Sequence, residues 1–158
     1  MTMKGISVLE GKYASTMDLW PLQGKEFTRI WPFWENLRAG RFTSTRCVDC
    51  GAEFFPPRVV CPGCMSDHLE WFDLPTEGTV IDVTEEFVGV PLGFTSPLIH
   101  ALVHVGTWTF FVRVEAEPGT LKPGDKVKLK VFEVDAMPAE IGRNVVEIPR
   151  VHYCFEQA

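Results

Sequence analysis

Four cysteines stand in two doublets, Cys47-Val48-Asp49-Cys50 and Cys61-Pro62-Gly63-Cys64, with ten residues between them. A Cys-x2-Cys turn directs two thiolates and nearby backbone N–H groups at one point, and two such turns supply the four sulfurs of a tetrahedral zinc site. The flanking residues suit tight turns: Gly51 follows the first pair, Gly63 lies inside the second, and Pro62 restricts the backbone there. Four thiolates complete the coordination shell and leave no position for water or substrate. The spacing therefore predicts one structural zinc rather than a catalytic one, with a rubredoxin-like iron site as the alternative. The fifth cysteine, Cys154, makes the count odd and leaves one over from any fully paired disulfide framework.

Other residues could also do chemistry. Cys154 lies two residues from His152, so on a strand the pair would share a face as a thiolate and an imidazole, although buried core is the ordinary place for such a cysteine. His100 and His104 are co-facial on a strand but lack a third metal ligand, which makes them surface or interface histidines. Lys126, Lys128 and Lys130 line one face of a strand, where they suit a phosphate-bearing ligand such as CoA or the protection of a sheet edge. There is no Gly-x-Ser-x-Gly elbow, His-Glu-x-x-His, phosphate loop or dinucleotide fingerprint. The chain does not read as a self-contained enzyme, and no catalytic residue is assigned.

The elements that must position these residues follow from composition and pattern. The 158 residues are 46% hydrophobic, and 12 Pro and 13 Gly interrupt them so often that short strands and turns should dominate. Residues 1–30 lack sustained periodicity and read as an N-terminal arm. Residues 31–40 read as a short docking helix, with Pro32 in its first turn and Gly40 as its stop. Its stripe of Ile30, Phe33, Trp34 and Leu37, with Trp31 beside it, is expected to bind a partner. Residues 41–73 form the zinc ribbon, so small a unit that the metal supplies most of its folding free energy. Residues 74–158 hold five strands, at 79–88, 98–105, 108–115, 126–134 and 145–155, divided by turn signals that include Pro138. The predicted fold is mainly β: short helix, rubredoxin-like ribbon, then a five-stranded OB-fold barrel with a C-terminal extension. A net charge of −6 opposes nucleic-acid binding, and no run approaches the roughly 18 to 20 apolar residues of a membrane span. Met1 to Gly11 carries no signal-like apolar stretch, so a soluble, cytoplasmic chain is expected.

One further observation joins these parts. The succession Leu37-Arg38-Ala39-Gly40-Arg41-Phe42, Arg46-Cys47-Val48-Asp49-Cys50-Gly51, Pro56-Pro57-Arg58, Cys61-Pro62-Gly63-Cys64, Trp71, Gly78-Thr79-Val80 and Pro123-Gly124-Asp125-Lys126-Val127 resembles the zinc-ribbon plus OB-fold family that accompanies thiolases. The resemblance covers residues 31–134. It implies that Cys47, Cys50, Cys61 and Cys64 bind zinc, and that the chain is a non-catalytic accessory subunit of a thiolase or thiolase-like aldolase complex. Such a complex acts on acyl-CoA thioesters, with acyl-CoA at the shared interface and catalysis on the partner. The alternative reading is a single-stranded nucleic-acid-binding ribbon and OB module.

Overall fold

The computed structural model describes residues 23–90, 95–141 and 144–158. Among the described residues, the chain from Gln23 forms one helix, α1 (Trp31–Arg38). Pro32 lies in the first turn, where a missing N–H costs nothing, and Arg38 lies in the last turn beside the negative end of the helix dipole. Gly40, at φ 73°, supplies the left-handed residue that ends the helix, and the Arg41 N–H returns to the Asn36 carbonyl at 2.8 Å. Most of the expected N-terminal arm lies outside the described residues.

Two sheets follow. The first is the ribbon, with strands β1 (Thr43–Cys47), β2 (Glu53–Phe54) and β3 (Leu69–Asp73) in the order β2-β1-β3, all antiparallel. The second is built from β4 (Glu77–Glu86), β5 (Leu98–Val105), β6 (Trp108–Glu115), β7 (Lys126–Ile141) and β8 (Asn144–Gln157). These close into a barrel in the order β4-β5-β6-β8-β7. Only the β6–β8 contact is parallel, and it is short, with Val114 opposite Phe155 and Glu115 opposite Glu156. This is the five-stranded Greek-key barrel of the OB-fold. Among the described residues no helix is long and apolar enough to cross a membrane.

Two expectations are corrected here. Pro138 does not divide strands: β7 runs through it to Ile141, with Pro138 opposite Glu147. β4 pairs with β7 only at Lys126, Val127 and Lys128, so among the described residues the far end of β7 is flanked by β8 alone. A residue without an N–H is tolerated on such an edge. Nor do Lys126 and Lys128 guard an edge, because this part of β7 is held between β4 and β8.

Helix, ribbon and barrel share a single core. Phe42, 1% exposed, sits between α1 and β1 and meets rings from every part of the molecule. Its centroid lies 6.5 Å from Phe33 of the helix, 5.3 Å from Phe55 of the ribbon, and 5.8, 5.1 and 6.4 Å from Phe110, Tyr153 and Phe155 of the barrel. Its carbonyl accepts the Leu74 N–H at 2.7 Å, which ties the exit of the ribbon to its entry. Replacing Phe42 with Ala would open a cavity at this junction and is expected to cost about 3–5 kcal/mol. Urea unfolding of the zinc-loaded protein checks it, and a loss below about 1 kcal/mol would show that the three parts hold together without this ring.

Candidate metal centre

The two knuckles are built alike. In the first, the Cys47 N–H donates to the Ala52 carbonyl at 2.8 Å and the Gly51 N–H to the Cys47 carbonyl at 2.9 Å. In the second, the Cys61 N–H donates to the Ser66 carbonyl at 2.8 Å and the Met65 N–H to the Cys61 carbonyl at 2.9 Å. Each turn needs a left-handed residue four positions after its first cysteine. Gly51 fills it at φ 73° in one, and Met65 fills it at φ 63° in the other. The glycine that matters in the second knuckle is therefore absent: Gly63 has no such φ, and a methionine bears the strain instead.

These turns bring four sulfurs together. Their Sγ atoms all lie within 4.8 Å of one another, with Cys47 3.6 Å from Cys64 and Cys50 3.6 Å from Cys61. A tetrahedron with zinc–sulfur bonds of about 2.3 Å has edges of about 3.8 Å, so the donor set fits one zinc ion. Cys47 and Cys61 are buried while Cys50 and Cys64 are exposed, so the ion would sit at the surface with its inner half fixed to the ribbon. Backbone N–H groups of Cys64 and Gly63 hold the Cys61 thiol down to about 7, against the effect of burial. The Ser66 N–H favours the Cys64 thiolate, but the sulfurs of Cys61 and Cys47 outweigh it and push that thiol up to about 12. Four thiols this close cannot all ionise without a cation among them. When bound, the zinc supplies that charge and closes the turns. It offers no open position for catalysis.

Side chains lock the knuckles to the sheet. The Thr45 hydroxyl accepts the Arg58 N–H at 2.8 Å and faces the Arg58 carbonyl at 3.2 Å, which pins the Pro56-Pro57-Arg58 segment against β1. Ser66 donates to Asp49 across the two knuckles, and this bond, with His68 beside it, holds the Asp49 carboxyl below its usual range. Thr45, Ser66 and Asp49 went unread in the sequence, since nothing local marks a hydroxyl that pairs with residues more than ten positions away. Among the described residues, the four cysteines are the one group of three or more such side chains placed to hold a metal.

The other candidates fall elsewhere. Cys154 is fully buried on β8, and burial leads the effects that push its thiol up to about 12, so it carries no thiolate at neutral pH. His152 lies with its ring 6.2 Å from both Trp34 and Phe132. His100 stacks on Phe111 at 5.2 Å, and His104 is exposed four residues further along β5. The lysine face is matched by carboxylates: Lys130 lies 2.5 Å from Glu115 and 3.4 Å from Glu156, and Lys128 lies 3.3 Å from Glu156. Lys126 donates to the Thr79 hydroxyl at 2.7 Å.

The expected docking stripe of Ile30, Trp31, Phe33, Trp34 and Leu37 is split. Phe33 and Leu37 are 4% and 0% exposed in the chain's own core, while Ile30, Trp31 and Trp34 are half-buried. The correction for Phe33 and Leu37 has a plain cause: the barrel and ribbon together offer an aromatic surface large enough to cover the helix.

The fold and the centre together define a class, a rubredoxin-like four-thiolate ribbon packed on an OB barrel. Residues 34–70 match the family described as ChsH2, rubredoxin-like zinc ribbon domain. A DUF35 domain-containing scaffold protein of Methanothermobacter thermautotrophicus is 29% identical over 96 residues, spanning 55% of this chain and 68% of the relative. Among solved structures, Ltp2-ChsH2(DUF35) aldolase is similar over 85% of this chain and 98% of that one, with a TM-score of 0.60 and 20% identity. A DUF35-family protein of unknown function from Sulfolobus solfataricus aligns over 66% of this chain and 81% of its own, with a TM-score of 0.46 and 23% identity. The resemblance read from the cysteine pairs and the Pro-Pro-Arg segment is borne out, as a zinc ribbon joined to a barrel.

Metal analysis of the purified protein should find one zinc per chain. Cys61→Ser should lose the metal and melt the ribbon, and Cys154→Ser should keep it. Zinc retained by Cys61→Ser, or lost by Cys154→Ser, would overturn the assignment. The strained position gives a finer expectation: Met65→Gly should stabilise the zinc-loaded protein, and Gly51→Ala should destabilise it by about 1–2 kcal/mol, read from thermal unfolding.

Proposed function

We propose that this chain is a non-catalytic, zinc-containing accessory subunit of a thiolase or thiolase-like aldolase complex acting on acyl-CoA thioesters. The observation that carries the reading is the ribbon: residues 34–70 match the ChsH2 zinc ribbon, at a centre whose four thiolates give the metal a structural role. The DUF35 scaffold relative and the ChsH2-containing aldolase of the same fold support it. In this reading the catalytic residues belong to a separate thiolase-like subunit, and the complex works in the cytoplasm. The barrel closes the acyl-CoA channel from outside and excludes water from it. Zinc keeps the ribbon rigid, and the shared aromatic core passes that rigidity to the barrel. The lysine face would meet the phosphates of CoA, through Lys126 most of all, since Glu156 lies 3.3 Å from Lys128 and Glu115 and Glu156 both hold Lys130.

Co-expression with each thiolase-superfamily protein of the same genome tests the reading. One of them should copurify as a hetero-oligomer, and its cleavage of an acyl-CoA should require this chain. Cys154→Ala should leave that activity within a few-fold, because the thiol is buried and protonated. Lys126→Glu with Lys128→Glu should raise KM for the CoA ester and leave kcat nearly unchanged. Turnover by the isolated chain, or the absence of any such partner, would refute the assignment.

A further inference from the structure

The outward faces of barrel strands are normally polar, because water is their neighbour. The face formed by β4, β5 and β6 departs from this. Phe111 points outward from β6 and is 67% exposed, with Leu102 directly opposite it on β5 and 38% exposed. Ile81, at the irregularity in β4, is 47% exposed, and Phe87 and Val88, immediately past the end of β4, are 64% and 87% exposed. The His100 ring stacks on Phe111 at 5.2 Å with an interplanar angle of 15°, so the most prominent aromatic is held in one orientation before anything binds. Among the described elements, α1 packs on β1 and β8, away from this face.

Charge narrows what can cover it. β4 carries Glu77, Asp82, Glu85 and Glu86, and neither β4 nor β5 contains a lysine or arginine. Arg113 is the one basic residue of β6, and it is bound to Glu115 at 2.7 Å. The apolar patch is thus flanked by carboxylates at the Asp82–Glu86 end of β4, while Lys126 of β7 reaches Thr79 at the other end. A second copy docking through a two-fold axis would bring two acidic β4 strands together, whereas a different chain with an apolar pocket and a basic rim would meet opposite charge.

We propose that this face, centred on Phe111 and Leu102, is the surface on which the thiolase-type subunit docks. The inference rests on the accessory-subunit reading and adds the place of contact, with Phe111 as the rigid anchor and Asp82 and Glu86 as the charged flank. The burial of Phe33 and Leu37 in the chain's own core is consistent with an interface on the barrel rather than on the helix.

The test uses the full zinc-loaded chain and the thiolase-superfamily protein of the same genome that copurifies with it. Phe111→Ser with Leu102→Ser should weaken the complex about 100-fold or more, while zinc content and thermal unfolding stay as in the unaltered protein. Glu70→Gln, exposed on the ribbon strand β3, should bind within about twofold of the unaltered chain. Asp82→Lys should slow association, most strongly at low salt. Binding by the double variant within about threefold would overturn the docking face and leave the accessory-subunit reading intact. A homodimer of the isolated chain that Phe111→Ser dissolves would overturn the choice of occupant. If the unaltered chain captures no thiolase-superfamily protein, the accessory-subunit reading itself fails, and this inference with it.

Discussion

Phe42 occupies the short stretch between the helix and the first ribbon strand, and its ring touches aromatics from the helix, the ribbon and the barrel at once. A ribbon of about thirty residues cannot bury enough apolar surface to stand alone, and a short helix has the same difficulty. Packing both over one ring at the barrel solves the two problems together. Leu37 and Phe33 are covered, and Phe55, on the segment between the two cysteine pairs, finds a hydrophobic partner in Phe110 at 4.7 Å. The metal and the barrel therefore reinforce one another. Zinc holds the knuckles from outside, and the aromatic core holds the strands that lead to them.

The same packing explains a residue that no local pattern announced. β6 and β8 pair in parallel over two positions only, so the backbone of Val151 would meet no strand on that side. Gln23 takes the strand's place. Its amide donates to the Val151 carbonyl and accepts the Val151 N–H, both at 2.8 Å, and it is fully buried. Arg38 donates to the same side-chain oxygen at 3.2 Å, so the end of α1 is tied into the arrangement. Backbone groups in a buried seam must be satisfied, and here a side-chain amide does so.

Charge on the outer surface is largely spent inside the sheet. Burial alone would raise the Glu115 carboxyl, but Lys130 and Arg113 outweigh it and hold it below its usual range. The guanidinium of Arg113 also lies over the Phe132 ring at 5.3 Å. This network covers the β6–β8–β7 side, next to the buried thiol of Cys154. Among the described residues, the β4–β6 side shows no comparable set of paired cations, and its apolar and acidic character stands out for that reason.

The metal site was legible because its information is local: Cys-x2-Cys determines a turn, and two turns with suitable spacing determine a four-sulfur site. The barrel strands were legible for a similar reason, since alternation along 98–105, 108–115 and 126–130 records one wet and one dry face. The helix was equally visible as an amphipathic stripe. What lay against that stripe was not, because periodicity says that a face is covered without saying by what. Only the folded chain brings Phe33 to Phe42 and Tyr153, and puts the β7 lysines beside Glu115 and Glu156. Pro138 misled because its meaning depends on whether its strand has a neighbour on both sides, and strand neighbours are a property of the closed barrel. Spacing and residue type determined the zinc ligands and the β pattern, while long-range contacts decided which apolar residues became core and which, like Phe111, stayed outside.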